Sequence, residues 1–248
     1  SSDLAKAFDV KFRTKTNEEE YVWASSWGVS TRMMGALVMA HADQMGLRLP
    51  PNIAPIQVVV VPLINKKTID RKGEVDEMFD KLKAELGTDY RLKYDDDDSK
   101  RAGFKFAEWE LKGVPLRLVI GFRDLDKGMV EIARRDTNEK ALYPIEGLAD
   151  TIKGLLVDIQ ANLFNQSLAY RDEHMTKVDT YDEFKTVLNE KGGFLFAHWD
   201  GTAETEEAIK NETKATIRCI PLDNPQEAGV CIYSGKPSIQ RVLFAKAY

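Results

Sequence analysis

Arg32 is one residue whose type and position indicate chemistry. It lies in the segment WGVSTRMMG (27–35), at the predicted start of a helix and after small residues that let a ligand come close. Its planar guanidinium can hold a phosphate through two parallel hydrogen bonds, which a lysine cannot do. Ser30 offers a second polar group beside it. On spacing alone, however, a structural salt bridge is the more common role for such an arginine.

A second cluster combines a carboxylate with two arginines. Glu110 precedes the strand predicted over 116–120, Arg117 lies near the start of that strand, and Arg123 lies in the following turn, GFRDL. Arginine can donate to O6 and N7 of guanine, and a carboxylate can accept from its N1–H and N2 amino groups. The cluster therefore suits the reading of guanine edges. Taken alone, the same pattern is more often an ordinary surface ion-pair cluster.

An alternating pattern of strands and helices must position this cluster. The apolar run 57–63 predicts a buried strand of the parallel type, and helical and strand patterns then follow in the order βαβαβββα. This order predicts a mixed sheet with helices on its faces. The later elements are predicted at 74–86 (helix), 90–94 (strand), 99–109 (helix), 116–120, 129–133 and 140–143 (strands), and 145–171 (helix). The acidic run 95–98 predicts a solvated loop.

The two ends of the chain show different patterns. Residues 8–29 predict two strands around a polar turn, and residues 31–45 predict a helix that ends before Gly46. Near the C-terminus, Thr180 followed by Glu183 has the spacing of a helix capping box. Short strands and helices after it predict a small α+β module. We expect its core to consist of Phe194, Phe196, Trp199, Ile209, Ile217, Ile220, Ile232 and Leu243.

Composition narrows the class of protein. The 248 residues carry a net charge of −5, but residues 100–140 hold ten basic against seven acidic residues, which permits a local anion-binding face. Two cysteines, Cys219 and Cys231, make no disulfide framework and suit a reducing compartment. The longest apolar run, 56–64, is too short to span a bilayer, and the first residues contain no signal-peptide core. We expect a cytoplasmic protein without a membrane segment.

Several segments resemble one family. WGVSTR is similar to the third signature motif of class II aminoacyl-tRNA synthetases. HADQMGLRLPPNIAPIQVVVVPL and ELKGVPLRLVIGFRDL resemble prolyl-tRNA synthetases of the archaeal-like type, and the resemblance extends from AKAFDVKF to VLFAKAY. It implies three parts: residues 1–50, the end of the antiparallel catalytic domain; residues 54–165, an α/β anticodon-binding domain; and residues 166–248, an α+β C-terminal domain.

The resemblance also implies residue roles. Arg32 would neutralise charge on the phosphates of ATP, with Ser30 lining the same site. Glu110, Arg117 and Arg123 would hold the guanines of the proline anticodon.

Three further positions follow from the same resemblance. The carboxylate of the terminal Tyr248 would point toward the active site. Val119 and Phe122 depart from the family pattern, which has glutamate and proline there, and Phe122 offers a face on which a base could stack.

The C-terminal part of the family holds zinc with four cysteines. The matching positions here are Asp200, Thr205, Cys231 and Ser234, so only one thiol remains. A structural zinc site needs four thiolate or imidazole ligands. We therefore expect no zinc.

The implied reaction joins proline to ATP, with Mg²⁺, to give prolyl-adenylate, and then transfers proline to tRNA(Pro). The residues given lack the family's first two motifs, so we expect the chain alone to be inactive, and we expect the full enzyme to be a homodimer. The alternative is a stand-alone, non-catalytic module that binds the tRNA anticodon, although such a module has no use for Arg32. In a third reading, a structural interaction protein, the basic island would be incidental.

Overall fold

The computed structural model describes residues 2–246, and side chains from residue 4 onward. The chain divides into two compact units, one ending at Asp150 and the other beginning at Thr151. No helix in the described part of the chain has the length and apolar character needed to cross a membrane.

The first unit begins with short elements. The predicted hairpin is confirmed, with its strands at β1 and β2, whereas the helix predicted over 31–45 ends at Ala40. A second hairpin replaces its last turn, because the Asp43 carboxylate accepts a hydrogen bond from Met45 N at 2.8 Å and turns the chain. The bounds are α1 (Ser2–Ala7), β1 (Lys11–Arg13), β2 (Glu19–Tyr21), α2 (Arg32–Ala40), β3 (Ala42–Asp43) and β4 (Gly46–Leu47).

A five-stranded mixed sheet forms the centre of this unit, with the strand order β6-β5-β7-β8-β9. Strand β5 pairs in parallel with β6 and β7, and β7, β8 and β9 pair antiparallel. The predicted order βαβαβββα is confirmed, with one short helix, α5, added after β7. The bounds are β5 (Val58–Pro62), α3 (Lys72–Leu86), β6 (Leu92–Tyr94), α4 (Ala102–Leu111), β7 (Leu116–Ile120), α5 (Phe122–Leu125), β8 (Met129–Arg134) and β9 (Lys140–Pro144). The last predicted helix, α6 (Leu148–Glu173), begins at the end of this unit, and most of its residues belong to the second.

Strand β7 carries a charged residue in the interior of this sheet. All five residues of β7 are buried, and β5 and β8 pair with it on both sides. Arg117 is the second of them and lies level with Val59 on β5 and Ala133 on β8. Its guanidinium therefore extends from a buried backbone, and its partners must come from elements that cover the sheet.

Asp95 differs from the prediction for the acidic run. Residues 96–98 are exposed, as expected of a solvated loop, but Asp95 is buried. Its carboxylate accepts a hydrogen bond from Trp109 Nε1 at 2.6 Å and lies 3.1 Å from Lys105 Nζ. Both partners are on α4, so Asp95 ties that helix to the end of β6.

The second unit is built on a four-stranded sheet with the order β10-β11-β15-β12. The predicted cap by Thr180 is confirmed, because Thr180 Oγ accepts from Glu183 N at 3.2 Å. The Glu183 carboxylate in return accepts a hydrogen bond from Asp179 N at 3.0 Å, one residue earlier than in a regular capping box. The bounds are β10 (Met175–Lys177), α7 (Tyr181–Glu190), β11 (Phe194–His198), α8 (Ala203–Thr213), β12 (Ala215–Cys219), β13 (Gly229–Val230), β14 (Pro237–Ser238) and β15 (Arg241–Lys246).

Two strands of this unit bury the face opposite to the predicted one. Leu195 and Phe244 are fully buried, whereas Phe194 is 37% exposed. Alternate residues of a strand point to opposite faces, so a shift of one position exchanges the whole set. Phe194 is therefore wrong as a core residue, and Phe196 and Leu243 lie half-buried on the face opposite to this core. Ile220, which follows β12, is also wrong because it is exposed, while Ile209, Ile232, Trp199 and Ile217 do belong to the core or pack against it.

This assignment of faces predicts unequal costs for two neighbouring truncations. Leu195→Ala should lower the free energy of unfolding by about 3 kcal/mol, because it leaves a cavity in the core. Phe194→Ala, with a larger side chain removed from a half-exposed position, should cost about 1 kcal/mol or less. Urea denaturation of both variants measures the difference. A larger loss for Phe194→Ala would mean that the strand faces the other way.

Candidate nucleic-acid interface

Glu110 and Arg117 lie together, as the sequence predicts. Glu110 is in the last turn of α4, and Arg117 is on β7 directly beneath that helix end. Arg117 Nη1 donates to Glu110 Oε1 at 2.5 Å. The ring of Phe106, one turn earlier on α4, lies 4.1 Å from the guanidinium carbon and stacks on it. The Glu110–Arg117 pair thus combines a charge-assisted hydrogen bond with a cation–π contact.

Arg117 keeps donors that the described protein atoms do not use. Its side chain is only 4% exposed, and within residues 4–246 neither Nε nor Nη2 has a hydrogen-bond partner. An unsatisfied buried donor costs about 1–3 kcal/mol. Buried polar groups in proteins are nearly always paired, so an exception calls for an explanation. Two spare donors on one guanidinium match the two acceptors on the major-groove edge of guanine.

A pocket opens beside the Glu110–Arg117 pair. Its volume is about 250 Å³. This is smaller than the roughly 300–1,000 Å³ of small-molecule sites, so the pocket suits the edge of an extruded base better than a whole cofactor. Besides the pair, its lining includes Met45, Arg134, Asn138 and Lys140.

Arg123 does not join this pair. It is exposed in α5, beyond the opposite end of β7 from Arg117. Six positions at about 3.3 Å per residue put the two backbones roughly 15–20 Å apart. The expectation that all three residues meet at one edge is therefore wrong, and a role for Arg123 in base reading stays a prediction.

Phe122 offers no free face for base stacking. The residue is buried, and the guanidinium carbon of Arg71 lies 4.6 Å from the centre of its ring. The stacking role considered for Phe122 from the sequence is therefore not supported.

A second buried arginine, Arg135, also lines the pocket and has all its donors occupied. Arg135 forms a two-pronged ion pair with Asp43, at 2.7 Å from Nη1 and 2.5 Å from Nη2. The Arg135 guanidinium lowers the pKa of the Asp43 carboxyl to about 2, and Met45 N, which also donates to it, adds to the effect. Asp43 is thus held as an anion across the neutral range.

Arg32 begins helix α2, as predicted, with its backbone N–H 3.4 Å from Ser30 Oγ. Both residues are exposed. The role of Arg32 toward ATP stays a prediction. Tyr248 lies outside the described residues.

The positions matched to zinc ligands lie together in the second unit but are joined by hydrogen bonds. Asp200 Oδ2 accepts from Ser234 Oγ at 2.6 Å and from Thr205 Oγ at 2.9 Å. Asp200 Oδ1 accepts from Thr202 Oγ at 2.8 Å and from Thr202 N at 3.1 Å. Burial acts to raise the pKa of Asp200, but the hydrogen bonds from Ser234 and Thr202 outweigh it and bring that pKa to about 2.

These contacts leave little capacity for a metal. Four hydrogen bonds occupy the acceptor sites of a carboxylate. Cys231 is buried nearby in the turn that leads to Ser234, and is the one thiol of the set. Within the described residues no three His, Cys, Asp or Glu side chains come close enough to hold a metal ion.

Two comparisons with known proteins bear on this geometry. A family model described as "Anticodon binding domain" matches residues 57–155, which contain the Glu110–Arg117 pair. A second, described as "Prolyl-tRNA synthetase, C-terminal", matches residues 181–248. The chain is thus similar to members of the prolyl-tRNA synthetase family. The boundaries predicted at residues 50 and 165 stay predictions.

Curated members of the family match nearly the whole chain. A proline–tRNA ligase of Cytophaga hutchinsonii is 57% identical over 247 residues. Those of Phocaeicola vulgatus and Flavobacterium johnsoniae are 55% and 54% identical. In each case the match covers 99% of this chain and 50% of the relative. The chain thus spans about half the length of these members of the family.

Sequence reasoning missed two residues of this interface. Phe106 is four positions before Glu110 on the same helix face, so an aromatic residue at that spacing was a usable signal. Arg135 was counted in the basic island but not singled out. Its partner Asp43 is 92 positions away, and no local pattern connects the two.

Substitution of the two buried arginines by methionine should lower the free energy of unfolding by unequal amounts. Arg117→Met should change the free energy of unfolding by no more than about 1 kcal/mol, because it removes two unsatisfied donors along with one ion pair. Arg135→Met should cost about 3 kcal/mol or more, because it removes a fully satisfied guanidinium and takes from Asp43 its two-pronged partner. Urea denaturation at neutral pH compares them. Equal costs would contradict the assignment of spare donors to Arg117.

Asp43 predicts a specific dependence on pH. Since its pKa in the folded chain is about 2, below the usual 3.8, its contribution to stability is complete above about pH 4 and declines toward pH 2. The difference in melting temperature between the wild type and Asp43→Asn, measured from pH 6 to pH 2, should be constant and then shrink below pH 4. A difference that grows on acidification would contradict the ion pair.

Proposed function

We propose that this chain is the anticodon-recognising part of a proline–tRNA ligase. The observation that carries the proposal is the pair of unused, buried donors on Arg117, held beside Glu110 in a small pocket. Support comes from the anticodon-binding model that covers this pocket and from the names of the relatives.

The hydrogen-bonding groups of the Glu110–Arg117 pair suit the two guanines of the proline anticodon. Arg117 would donate to O6 and N7 of a guanine, and Glu110 would accept from the N1–H and N2 amino groups of a guanine. Charge-assisted hydrogen bonds in a site with little water are stronger than those on an exposed surface. Because the spare donors of Arg117 are shielded from solvent, a base reaches them only after a side-chain movement, and Phe106 is stacked on the guanidinium that must be uncovered.

The activity of the whole protein belongs to the same proposal. Proline would react with ATP, aided by Mg²⁺, and then be transferred to tRNA(Pro) in a cytoplasmic homodimer. Arg32, with Ser30 beside it, would neutralise charge on the phosphates of ATP.

The surface near Arg32 favours such a larger protein over a stand-alone binding module. Trp27, Val29 and Met34 are 95%, 88% and 70% exposed. Soluble monomers rarely leave so many large apolar side chains uncovered in one segment. We infer that further protein covers them in the active enzyme.

We also propose that the second unit is stabilised without zinc. The Asp200 carboxylate, with hydroxyl donors from Thr202, Thr205 and Ser234, joins the same turns that four metal-bound thiolates would join. Hydroxyls at these positions are poor zinc ligands, and here they are engaged as donors.

Base reading by Arg117 predicts a sequence-dependent loss of binding. Arg117→Ala should weaken binding of a stem-loop with the proline anticodon about tenfold or more, and binding of a stem-loop with its two guanines replaced by adenines much less. Fluorescence anisotropy at fixed salt measures both. Arg171→Ala, which removes an exposed arginine paired with Asp172, is the control. An equal loss for both stem-loops would indicate mere attraction to phosphates.

The zinc-free second unit predicts insensitivity to chelators. Incubation with EDTA should leave the melting temperature unchanged, and metal analysis should find less than 0.1 zinc per chain. Asp200→Asn should lower the free energy of unfolding by about 2 kcal/mol, because it removes the charge from several hydrogen bonds. One zinc per chain, or unfolding of this unit by EDTA, would refute the proposal.

A further inference from the structure

Arg135 uses all of its N–H donors inside the protein. Nε donates to the backbone carbonyl of Glu110 at 3.0 Å. Nη1 and Nη2 both donate to Asp43, Nη2 also donates to Gly46 O at 3.2 Å, and Nη1 to Asn138 Oδ1 at 3.3 Å. The residue is 4% exposed. It thus contacts three separate parts of the chain at once.

One of these contacts fixes the backbone of Glu110, on the side away from its carboxylate. The backbone of Glu110 is held by Arg135, and its carboxylate is held by Arg117. Glu110 lies one residue before the end of α4, where helices commonly fray, and its carbonyl accepts there from Gly113 N at 3.0 Å as well as from Arg135. The Arg135 donor therefore adds a long-range restraint to the backbone bond that closes this helix end, and it holds the backbone from which the Glu110 carboxylate extends.

The other contacts hold the β3–β4 hairpin against the same helix end. A Cβ on Gly46 would lie 2.5 Å from Leu111 Cα, and a Cβ on Gly113 would lie 2.6 Å from Leu47 Cβ, so the backbones are packed as closely as glycine allows. Met45, at the tip of this hairpin, lines the pocket. Asp43 fixes the tip through Met45 N and is itself fixed by Arg135.

We propose that Arg135 is a positioning residue for base recognition: it locks the helix end that carries Glu110 to the β3–β4 hairpin, and so fixes two walls of the pocket while its own donors stay engaged within the protein. This inference rests on the proposed function of the Glu110–Arg117 pair. A lysine at this position would keep the charge, but a single ammonium group cannot reach the Glu110 carbonyl, Asp43 and Gly46 O together.

The test measures discrimination between the two stem-loops described above. It is expressed as the dissociation constant of the adenine-substituted stem-loop divided by that of the stem-loop with the proline anticodon. Arg135→Lys should lower this ratio about fivefold or more relative to the wild type. In the background of Glu110→Gln, where the carboxylate is already lost, Arg135→Lys should lower it by less than twofold, because the effect acts through Glu110. Arg171→Lys, at an exposed ion pair in the second unit, is the matched control and should leave the ratio unchanged.

The outcomes separate this inference from the proposed function. A wild-type ratio near one would overturn both. A high wild-type ratio that Arg135→Lys leaves unchanged, or an equal loss in both backgrounds, would overturn the inference alone. Should Arg135→Lys fail to fold, Asp43→Asn is measured instead. It releases the hairpin side of the guanidinium, and it should lower the ratio in the wild-type background but not in Glu110→Gln.

Discussion

The guanidinium of Arg117 lies inside the first unit with its hydrogen bonds only partly satisfied. Its backbone is fixed by strands on both sides, one donor is taken by Glu110, and Phe106 covers one face. A buried charge in this state is costly unless something completes it. This constraint explains why α4 packs over the start of β7: the Glu110 carboxylate and the Phe106 ring, both on α4, must lie beside the Arg117 guanidinium.

Two kinds of arginine therefore divide the work at this interface. Arg135 has every donor occupied and joins a helix end to a hairpin, which is what a structural arginine does. Arg117, about equally buried, keeps donors in reserve. In the second unit Asp200 resembles Arg135, because all its hydrogen-bonding sites are occupied. Its carboxylate accepts from hydroxyl donors and so connects turns that a metal could connect. A buried polar group with all its hydrogen bonds made thus serves to hold the fold together, whereas a buried group with unused donors can bind a ligand.

Much of this could be predicted from the sequence, where the signal was local. The order βαβαβββα followed from apolar periodicity. The proximity of Glu110 and Arg117, seven residues apart, followed from placing one at a helix end and the other on the strand after it. Strand β11 could not be oriented in this way, because FLFAH has apolar residues on both faces and the register that decides between them is set by β15. Arg135 was missed because Asp43 is distant in sequence, and Asp95 because its partners on α4 are visible only after folding.

The proposed reading of guanine edges by Arg117 and Glu110 can be tested atom by atom. Stem-loops in which each guanine of the proline anticodon is replaced in turn by 7-deazaguanine, which lacks N7, or by inosine, which lacks the N2 amino group, should bind the wild-type chain about tenfold more weakly at one position for each analogue. Arg117→Ala should lose the response to 7-deazaguanine and Glu110→Gln the response to inosine. Equal affinity of the wild type for guanine and both analogues would contradict the account.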